Sequence, residues 1–155
     1  MIRRILFVMV ALVACMVAGA QSADKLYKDG KALYDAKNYT AAVPKLKAAA
    51  EKGHKKAQYA VGKCYKDGRG VEKDRKKAVA WFSKAAKQDN ADGQYALGKS
   101  YLKGKGVEAD EKKAKSWLSK AVNNPKDGAD ILVKIRKDAA AGDEDAKRIL
   151  KLIGK

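Results

Sequence analysis

Two stretches of this chain, residues 57–86 and 93–122, are near copies of each other at a spacing of 36 residues. They are identical at 18 of 30 aligned positions. A fixed period of this length is typical of a solenoid, in which each unit can bury its apolar face only against its neighbours. Solenoids usually act as binding scaffolds, so the repeat directs the search for function towards surfaces.

Each copy has the pattern of two helices joined by a loop that contains two glycines. In the second helix, apolar and small residues recur at helical spacing, as at Ala78, Trp81, Phe82 and Ala85. This periodicity predicts an all-α fold, an α-solenoid of stacked antiparallel helix pairs. Asp74 and Asp110 are predicted N-caps. The two tryptophans, Trp81 and Trp117, are interpreted as core residues that fill the gaps between hairpins.

Glycine in the middle of a helix is destabilising unless another group must approach closely. Gly62 and its counterpart Gly98 are therefore predicted to lie against the partner helix of their own hairpin. Cys64 aligns with Ser100, which favours a packing role for this thiol. Tyr65 and Tyr101 are also interpreted as core residues.

The residues that the two copies share resemble the Sel1-like repeat, a relative of the tetratricopeptide repeat. In the first copy the resemblance is carried by Tyr59, Gly62, Tyr65, Gly68, Gly70, Val71, Asp74, Lys77, Ala78, Trp81, Lys84 and Ala85, and in the second by the residues 36 positions on. The preceding unit is similar to the tetratricopeptide form. Pro44 departs from that pattern, since proline is harmful beyond the first turn of a helix, and the start of that helix can shift to accommodate it.

The chain divides into five parts on this basis. Residues 1–20 resemble a signal peptide and 24–53 a tetratricopeptide-like hairpin. Residues 54–89 and 90–125 are Sel1-like repeats, and 126–155 are degenerate C-terminal capping helices. Asp127 is a plausible cap for the first of these capping helices.

The N-terminus predicts export. Arg3 and Arg4 precede an apolar stretch of 14 residues, too short to span a bilayer comfortably, and a small-residue cleavage site ends at Ala20. We expect a periplasmic or secreted protein. Two alternatives stay open: lipid attachment at Cys15, which follows a lipobox-like Leu12-Val13-Ala14, and a retained N-terminal anchor.

The chain is strongly basic, with a formal charge of +17 that falls to +15 if Arg3 and Arg4 are removed. Export makes nucleic acid an improbable partner, and no nucleic-acid recognition motif is present. Anionic envelope polymers and lipid headgroups remain possible weak contacts. The excess lysine could also serve solubility alone.

No catalytic, metal or cofactor motif stands out, and we expect a monomeric protein that is not an enzyme and has no cofactor. The single histidine, His54, is expected to be an ordinary surface residue. Some cysteine-rich members of the family are described as β-lactamases or penicillin-binding proteins, with a disulfide in each repeat, but this chain lacks such pairs. Residues Ser22–Lys25 and Ser100–Lys103 match the S-x-x-K motif of serine β-lactamases. The S-D-N and K-T-G elements that complete such a site do not accompany either string.

The resemblance implies a concave groove lined by the first helix of each hairpin. Interleaved tyrosines and lysines there could bind an extended acidic peptide, because aromatic rings offer rigid contact area and lysine attracts anions. The leading hypothesis is an exported scaffold that binds another protein or an acidic peptide, and the alternative is a cationic binder of envelope polyanions. Packing and solvation could equally explain several of the groove candidates, which are Tyr27, Lys31, Tyr34, Tyr59, Lys63, Lys66, Tyr95, Lys99 and Lys103.

Overall fold

A computed structural model describes residues 21–155, so the predicted signal peptide and Cys15 lie outside the described residues. The described part is all-helical, as the sequence predicts, and consecutive helices form antiparallel hairpins that stack in chain order. The helices are α1 (Ala23–Asp35), α2 (Tyr39–Glu51), α3 (Lys55–Asp67), α4 (Arg75–Lys87), α5 (Ala91–Lys103), α6 (Glu111–Val122), α7 (Gly128–Ala140) and α8 (Glu144–Ile153).

Polar side chains fix most of the helix starts. Asp74 and Asp110 accept hydrogen bonds from the backbone N–H groups of Lys77 and Lys113, both at 2.9 Å. These bonds satisfy donors that the first turn of a helix leaves unpaired, and they confirm both predicted caps. Asp127 does precede α7, but its side chain makes no capping bond.

The glycine loops set the spacing between successive hairpins. Gly70 and Gly106 have left-handed backbone, with φ of 68° and 81°. A Cβ at Gly70 would lie 2.4 Å from the carbonyl oxygen of Tyr39, and one at Gly106 would lie 2.2 Å from that of Arg75. Each loop therefore touches the start of the second helix of the preceding hairpin, and only glycine meets both the conformational and the steric requirement.

The helical glycines pack as expected. A Cβ at Gly62 would come within 2.5 Å of the Phe82 ring, and one at Gly98 within 2.7 Å of the Leu118 side chain. The two helices of each repeat thus approach closely at the glycine, and a large apolar side chain from the partner helix occupies the space.

Three successive apolar clusters form the core, and the tryptophans lie at their edges. Trp81 packs against the cluster built by α2 and α3, and Trp117 against the cluster built by α4 and α5. Both rings bridge neighbouring hairpins as expected, but they are only half-buried and cover the core rather than lie inside it. Cys64 is fully buried, in agreement with a packing role.

The start of α2 is not shifted by Pro44. The helix begins at Tyr39, with Asn38 as its cap, and continues through the proline to Glu51. Pro44 is exposed, so its ring meets solvent and the flanking turns of the helix are retained.

Candidate functional site

Five of the nine groove candidates line one cavity of about 300 Å³ between α3, α4 and α5. We call this cavity and its rim the basic groove. Lys63, on the same face of α3, extends it towards the first hairpin, because its Nζ lies 5.6 Å from the ring centre of Tyr34 and 5.7 Å from that of Tyr59. The five candidates in the cavity are Tyr59, Lys66, Tyr95, Lys99 and Lys103.

The floor of the basic groove is apolar and aromatic. The rings of Tyr59 and Phe82 lie 5.8 Å apart at 39°. Val79 from α4 and Ala96 from α5 complete the floor, and Tyr95 is nearly buried beside them. A surface of this kind can bind an apolar or aromatic side chain.

The rim of the basic groove is cationic. Lys99 and Lys134 hold their Nζ atoms 5.4 Å and 5.8 Å from the ring centre of Tyr95. Lys103 contributes to the rim but pairs with Asp145, and Asp92 is the one carboxylate among the lining residues. The remaining basic residues of the lining are Lys66, Arg75 and Lys105.

Removal from water shifts the titration of several lining groups. Burial raises the pKa of Tyr95 to about 12 and also raises the pKa of Tyr59, because a phenolate would be poorly solvated at either position. Burial lowers the pKa of Lys99, although Asp143 and Asp145 oppose that effect. The Lys99 ammonium is thus incompletely solvated, and an anion placed beside it would restore favourable interactions.

Asp92 is exposed as a residue, yet its carboxyl group borders the cavity. Desolvation there raises the pKa of Asp92, against the attraction of Lys134. A negative charge is therefore disfavoured at this edge, whereas the lysine-rich edge favours one.

Tyr34 belongs to a neighbouring cluster rather than to the cavity. Its hydroxyl accepts a hydrogen bond from Arg69 Nη1 at 2.6 Å, and its ring meets Tyr39 edge-on at 5.1 Å. The Arg69 guanidinium also lies over the rings of Tyr34 and Tyr39. This cluster ties the first hairpin to the glycine loop of the second.

The structure places Tyr27 and Lys31 outside the cavity. Tyr27 stacks on His54, with ring centres 4.3 Å apart, and Lys31 forms an ion pair with Asp35 one turn along α1. His54 is also not the free surface residue expected: it is half-buried and caps α3, since its Nδ1 accepts a hydrogen bond from the N–H of Ala57 at 3.1 Å. Its alignment with Asn90, a favoured capping residue, is the sequence signal for this role.

Four charged lining residues were not predicted as groove residues from the sequence. Arg75 and Lys105 occupy positions that differ between the copies, where Glu111 and Arg69 stand. Lys134 belongs to the degenerate C-terminal unit, and Asp92 lies in the first turn of α5. No pattern within a single repeat brings these residues together, because the cavity is formed between repeats.

The serine and cysteine side chains that could suggest catalysis have structural roles. Ser22 caps α1 through the N–H of Lys25, and the Ser100 hydroxyl donates to the carbonyl of Ala96 at 2.9 Å. Burial raises the pKa of Cys64 to about 11, so its thiol stays protonated at neutral pH. Within residues 21–155 there is no cluster of side chains suited to a metal ion, and no helix there is long and apolar enough to cross a membrane.

The repeat units match a known family model, and the fold matches solved structures. The Sel1 repeat model matches residues 55–90 and 91–125. The Helicobacter pylori cysteine rich protein B is 32% identical, with a TM-score of 0.54, over 58% of this chain and 68% of that protein. The chain belongs to the Sel1-like repeat family.

Two larger Sel1-like structures share the fold. A Sel1 repeat protein from Oxalobacter formigenes is 38% identical with a TM-score of 0.54, over 72% of this chain and 28% of its own. A protective antigen of uropathogenic Escherichia coli with an SLR fold is 27% identical with a TM-score of 0.65, over 89% of this chain and 30% of its own. This Sel1-like chain therefore spans less than a third of those two proteins. None of the curated proteins is significantly similar to it in sequence.

Proposed function

We propose that this Sel1-like repeat protein is an exported, non-enzymatic scaffold that binds an acidic segment of another protein in the basic groove. The observation that carries the proposal is the cavity itself, where an aromatic floor of Tyr59 and Phe82 lies beneath a rim of lysines. An extended peptide with one apolar side chain between acidic residues matches both features.

The apolar floor favours a peptide over a simple polyanion. A polymer bound only by charge needs no aromatic surface, and its affinity would fall steeply with salt. Burial of an apolar side chain against Tyr59 and Val79 would instead retain affinity when charges are screened. A cationic surface that binds anionic envelope polymers is the alternative, and the salt response separates the two.

Export and the lack of catalysis belong to the same proposal. Export rests on the charged and apolar pattern of residues 1–20 and on the cleavage site that ends at Ala20. The absence of catalysis is supported by Ser100, whose hydroxyl is hydrogen-bonded, and by Cys64, whose thiol is buried. We expect no acylation of the protein by a labelled β-lactam.

The test uses a fluorescent acidic hexapeptide with one central phenylalanine and a matched peptide with serine in its place. The double variant K63E/K99E should weaken binding of the phenylalanine peptide at least about tenfold, because two attractive charges become repulsive. The control K112E/K115E changes two exposed lysines of α6 and alters the net charge equally, so its affinity should stay within about twofold.

Fluorescence polarisation at low and at physiological salt measures both peptides on the wild-type protein and on each double variant, and thermal melts check that each variant is folded. Equal loss in both double variants, or equal binding of the serine peptide, would show that the groove is not the site. Binding to anionic phospholipid vesicles that both double variants lose alike, and that salt abolishes, would favour the polyanion alternative.

A further inference from the structure

A carboxylate of the chain itself already stands at one end of the basic groove. Asp145, in the first turn of α8, forms an ion pair with Lys103 of α5. The side chains of Lys103 and Asp145 are 30% and 36% exposed, so the pair is open to solvent. The contact joins the groove to the C-terminal hairpin, and it therefore depends on how these units stack.

Three lysines of the basic groove act on the Asp145 carboxylate. The hydrogen bond from Lys103 lowers the pKa of Asp145 most, desolvation opposes it, and the nearby charges of Lys99 and Lys105 lower the pKa further. All three lysines line the groove. Asp145 therefore occupies the place beside the rim that a carboxylate of an acidic ligand would occupy.

The same carboxylate weakens the attraction of the rim for an anion from outside. It engages the Lys103 ammonium directly. Burial lowers the pKa of Lys99, and the charges of Asp143 and Asp145 oppose that effect, so Lys99 already interacts with negative charge of the C-terminal hairpin. A ligand carboxylate at this end must compete with Asp145 for Lys103 and is repelled by Asp145 while it does so.

The start of α8 does not depend on Asp145. Asp143 is the N-cap, and its Oδ1 accepts a hydrogen bond from the backbone N–H of Ala146 at 2.8 Å. Ala146 and Ile149 hold the helix in the core that it shares with α5 and α6. The ion pair can therefore open while the helix and its packing stay in place.

We propose that Asp145 is an internal competitor of the acidic partner: it holds Lys103 in the unbound protein, and Lys103 exchanges it for a carboxylate of the bound segment. This inference rests on the proposed function, because it concerns the same ligand in the same groove. An exposed ion pair is weak, so the exchange is readily reversible. The competition lowers the affinity for every acidic segment, and it favours those that also place an apolar side chain on the groove floor.

The experiment compares D145N with the wild type for binding of the fluorescent acidic phenylalanine peptide, by fluorescence polarisation at low salt. Asparagine keeps the shape of the side chain, removes its charge and frees Lys103, so the affinity should rise about threefold to fivefold. E144Q is the matched control, since Glu144 is the preceding residue and pairs at 2.7 Å with Lys147, which does not line the groove. E144Q changes the net charge equally, and its affinity should stay within about 1.5-fold of the wild type.

A double variant tests whether the gain depends on Lys103. K103M removes the ammonium and keeps the aliphatic chain, so neither charge remains in K103M/D145N. The affinity of the double variant should return to about the wild-type value, and K103M alone should bind more weakly than the wild type, because Asp145 is left to repel the peptide. An unchanged affinity in D145N, an equal rise in E144Q, or a gain that persists in K103M/D145N would overturn the proposal. Thermal melts check that each variant is folded.

The groove variant K63E/K99E separates a failure of this inference from a failure of the proposed function. If K63E/K99E weakens binding and D145N leaves it unchanged, the peptide binds in the groove and Asp145 is not a competitor. If neither variant changes binding, the peptide binds outside the groove and both proposals are wrong.

Discussion

At the scale of single residues, His54 shows how one repeat position can carry different chemistry. It caps α3 as Asn90 caps α5, where the Asn90 side chain accepts from the N–H of Gly93 at 2.7 Å. The histidine acceptor works only while the ring is neutral, because a protonated Nδ1 becomes a donor. Burial against Tyr27 lowers the pKa of His54 below its ordinary value of 6.5, and Lys56 adds to this, whereas Asp24 near Nε2 opposes it.

This lowered pKa predicts a loss of stability in mild acid. The unfolded chain takes up a proton on His54 at a higher pH than the folded protein does, so the free energy of unfolding should decrease as the pH falls through 6.5 to below the folded pKa. The decrease is expected to be at most about 1 kcal/mol, the usual contribution of a cap.

Urea unfolding between about pH 8 and pH 5.5 measures this effect, and H54N is the control. His54 is the only histidine of the chain, and asparagine keeps the cap without titrating. The variant should therefore show a flatter profile. Parallel profiles for the two proteins would show that the cap is insensitive to protonation of His54.

At the scale of elements, α2 tolerates a proline that local rules disfavour. Pro44 is the sixth residue of the helix and cannot donate the backbone hydrogen bond expected at that position. The helix persists because its opposite face is buried: Ala42, Val43 and Leu46 all belong to the core cluster shared with α3. Tertiary packing here outweighs helix propensity.

The exposed position of Pro44 predicts that P44A stabilises the protein. Alanine restores a backbone donor and fits the helix better, so the free energy of unfolding should rise by about 1–3 kcal/mol. P125A is the control: Pro125 lies in the turn before α7, where proline restricts the unfolded chain, and its replacement should cost up to about 1 kcal/mol. Urea unfolding of both variants measures the difference. A loss of stability in P44A would mean that the ring makes contacts that this helix requires.

Helix boundaries were also largely readable from the sequence. Asp74 and Asp110 mark the starts of α4 and α6, and the glycine loops mark the ends of α3 and α5. The cap predicted at Asp127 was wrong, since its side chain makes no capping bond, while Asn124 accepts from the N–H groups of Lys126 and Asp127 in the preceding turn. Local sequence identifies a residue that can cap, but the path of the chain decides which residue does.

At the scale of the whole molecule, positive charges greatly outnumber negative ones. Basic residues outnumber acidic ones by 35 to 18, so many cations have no carboxylate to pair with. Several of the ion pairs that do form, such as Lys31–Asp35 and Lys147–Glu144, are exposed and contribute little to stability. Mutual repulsion of the excess lysines should therefore outweigh the attraction within these pairs.

Added salt is accordingly expected to stabilise the fold. Raising NaCl from about 10 mM to 200 mM should increase the free energy of unfolding by about 0.5–1 kcal/mol, because the repulsion is screened. Urea is the suitable denaturant, since guanidinium chloride is itself a salt. A decrease in the free energy of unfolding with added salt would mean that attraction within the ion pairs exceeds repulsion among the excess lysines. Those lysines would then lie too far apart to repel one another appreciably.

The sequence by itself determined the helical class, the repeat unit and most contacts within a hairpin, because these depend on spacings of a few residues. The close approach of Gly62 and Gly98 to the partner helix followed from the repeat alone, and the structure identifies Phe82 and Leu118 as the residues they meet. The basic groove was only partly foreseen: Tyr59, Tyr95 and Lys99 could be placed on a common face, but Arg75 and Lys134 could not. The contacts of the two equivalent glutamines were likewise invisible in the sequence: Gln58 Oε1 accepts a hydrogen bond from Gln88, whereas Gln94 Oε1 has no partner within residues 21–155, where Asn124, the counterpart of Gln88, donates to the carbonyl of Asp89. Contacts within a unit are set by local spacing, whereas those between units depend on how the hairpins stack, and that was decided by the tertiary structure.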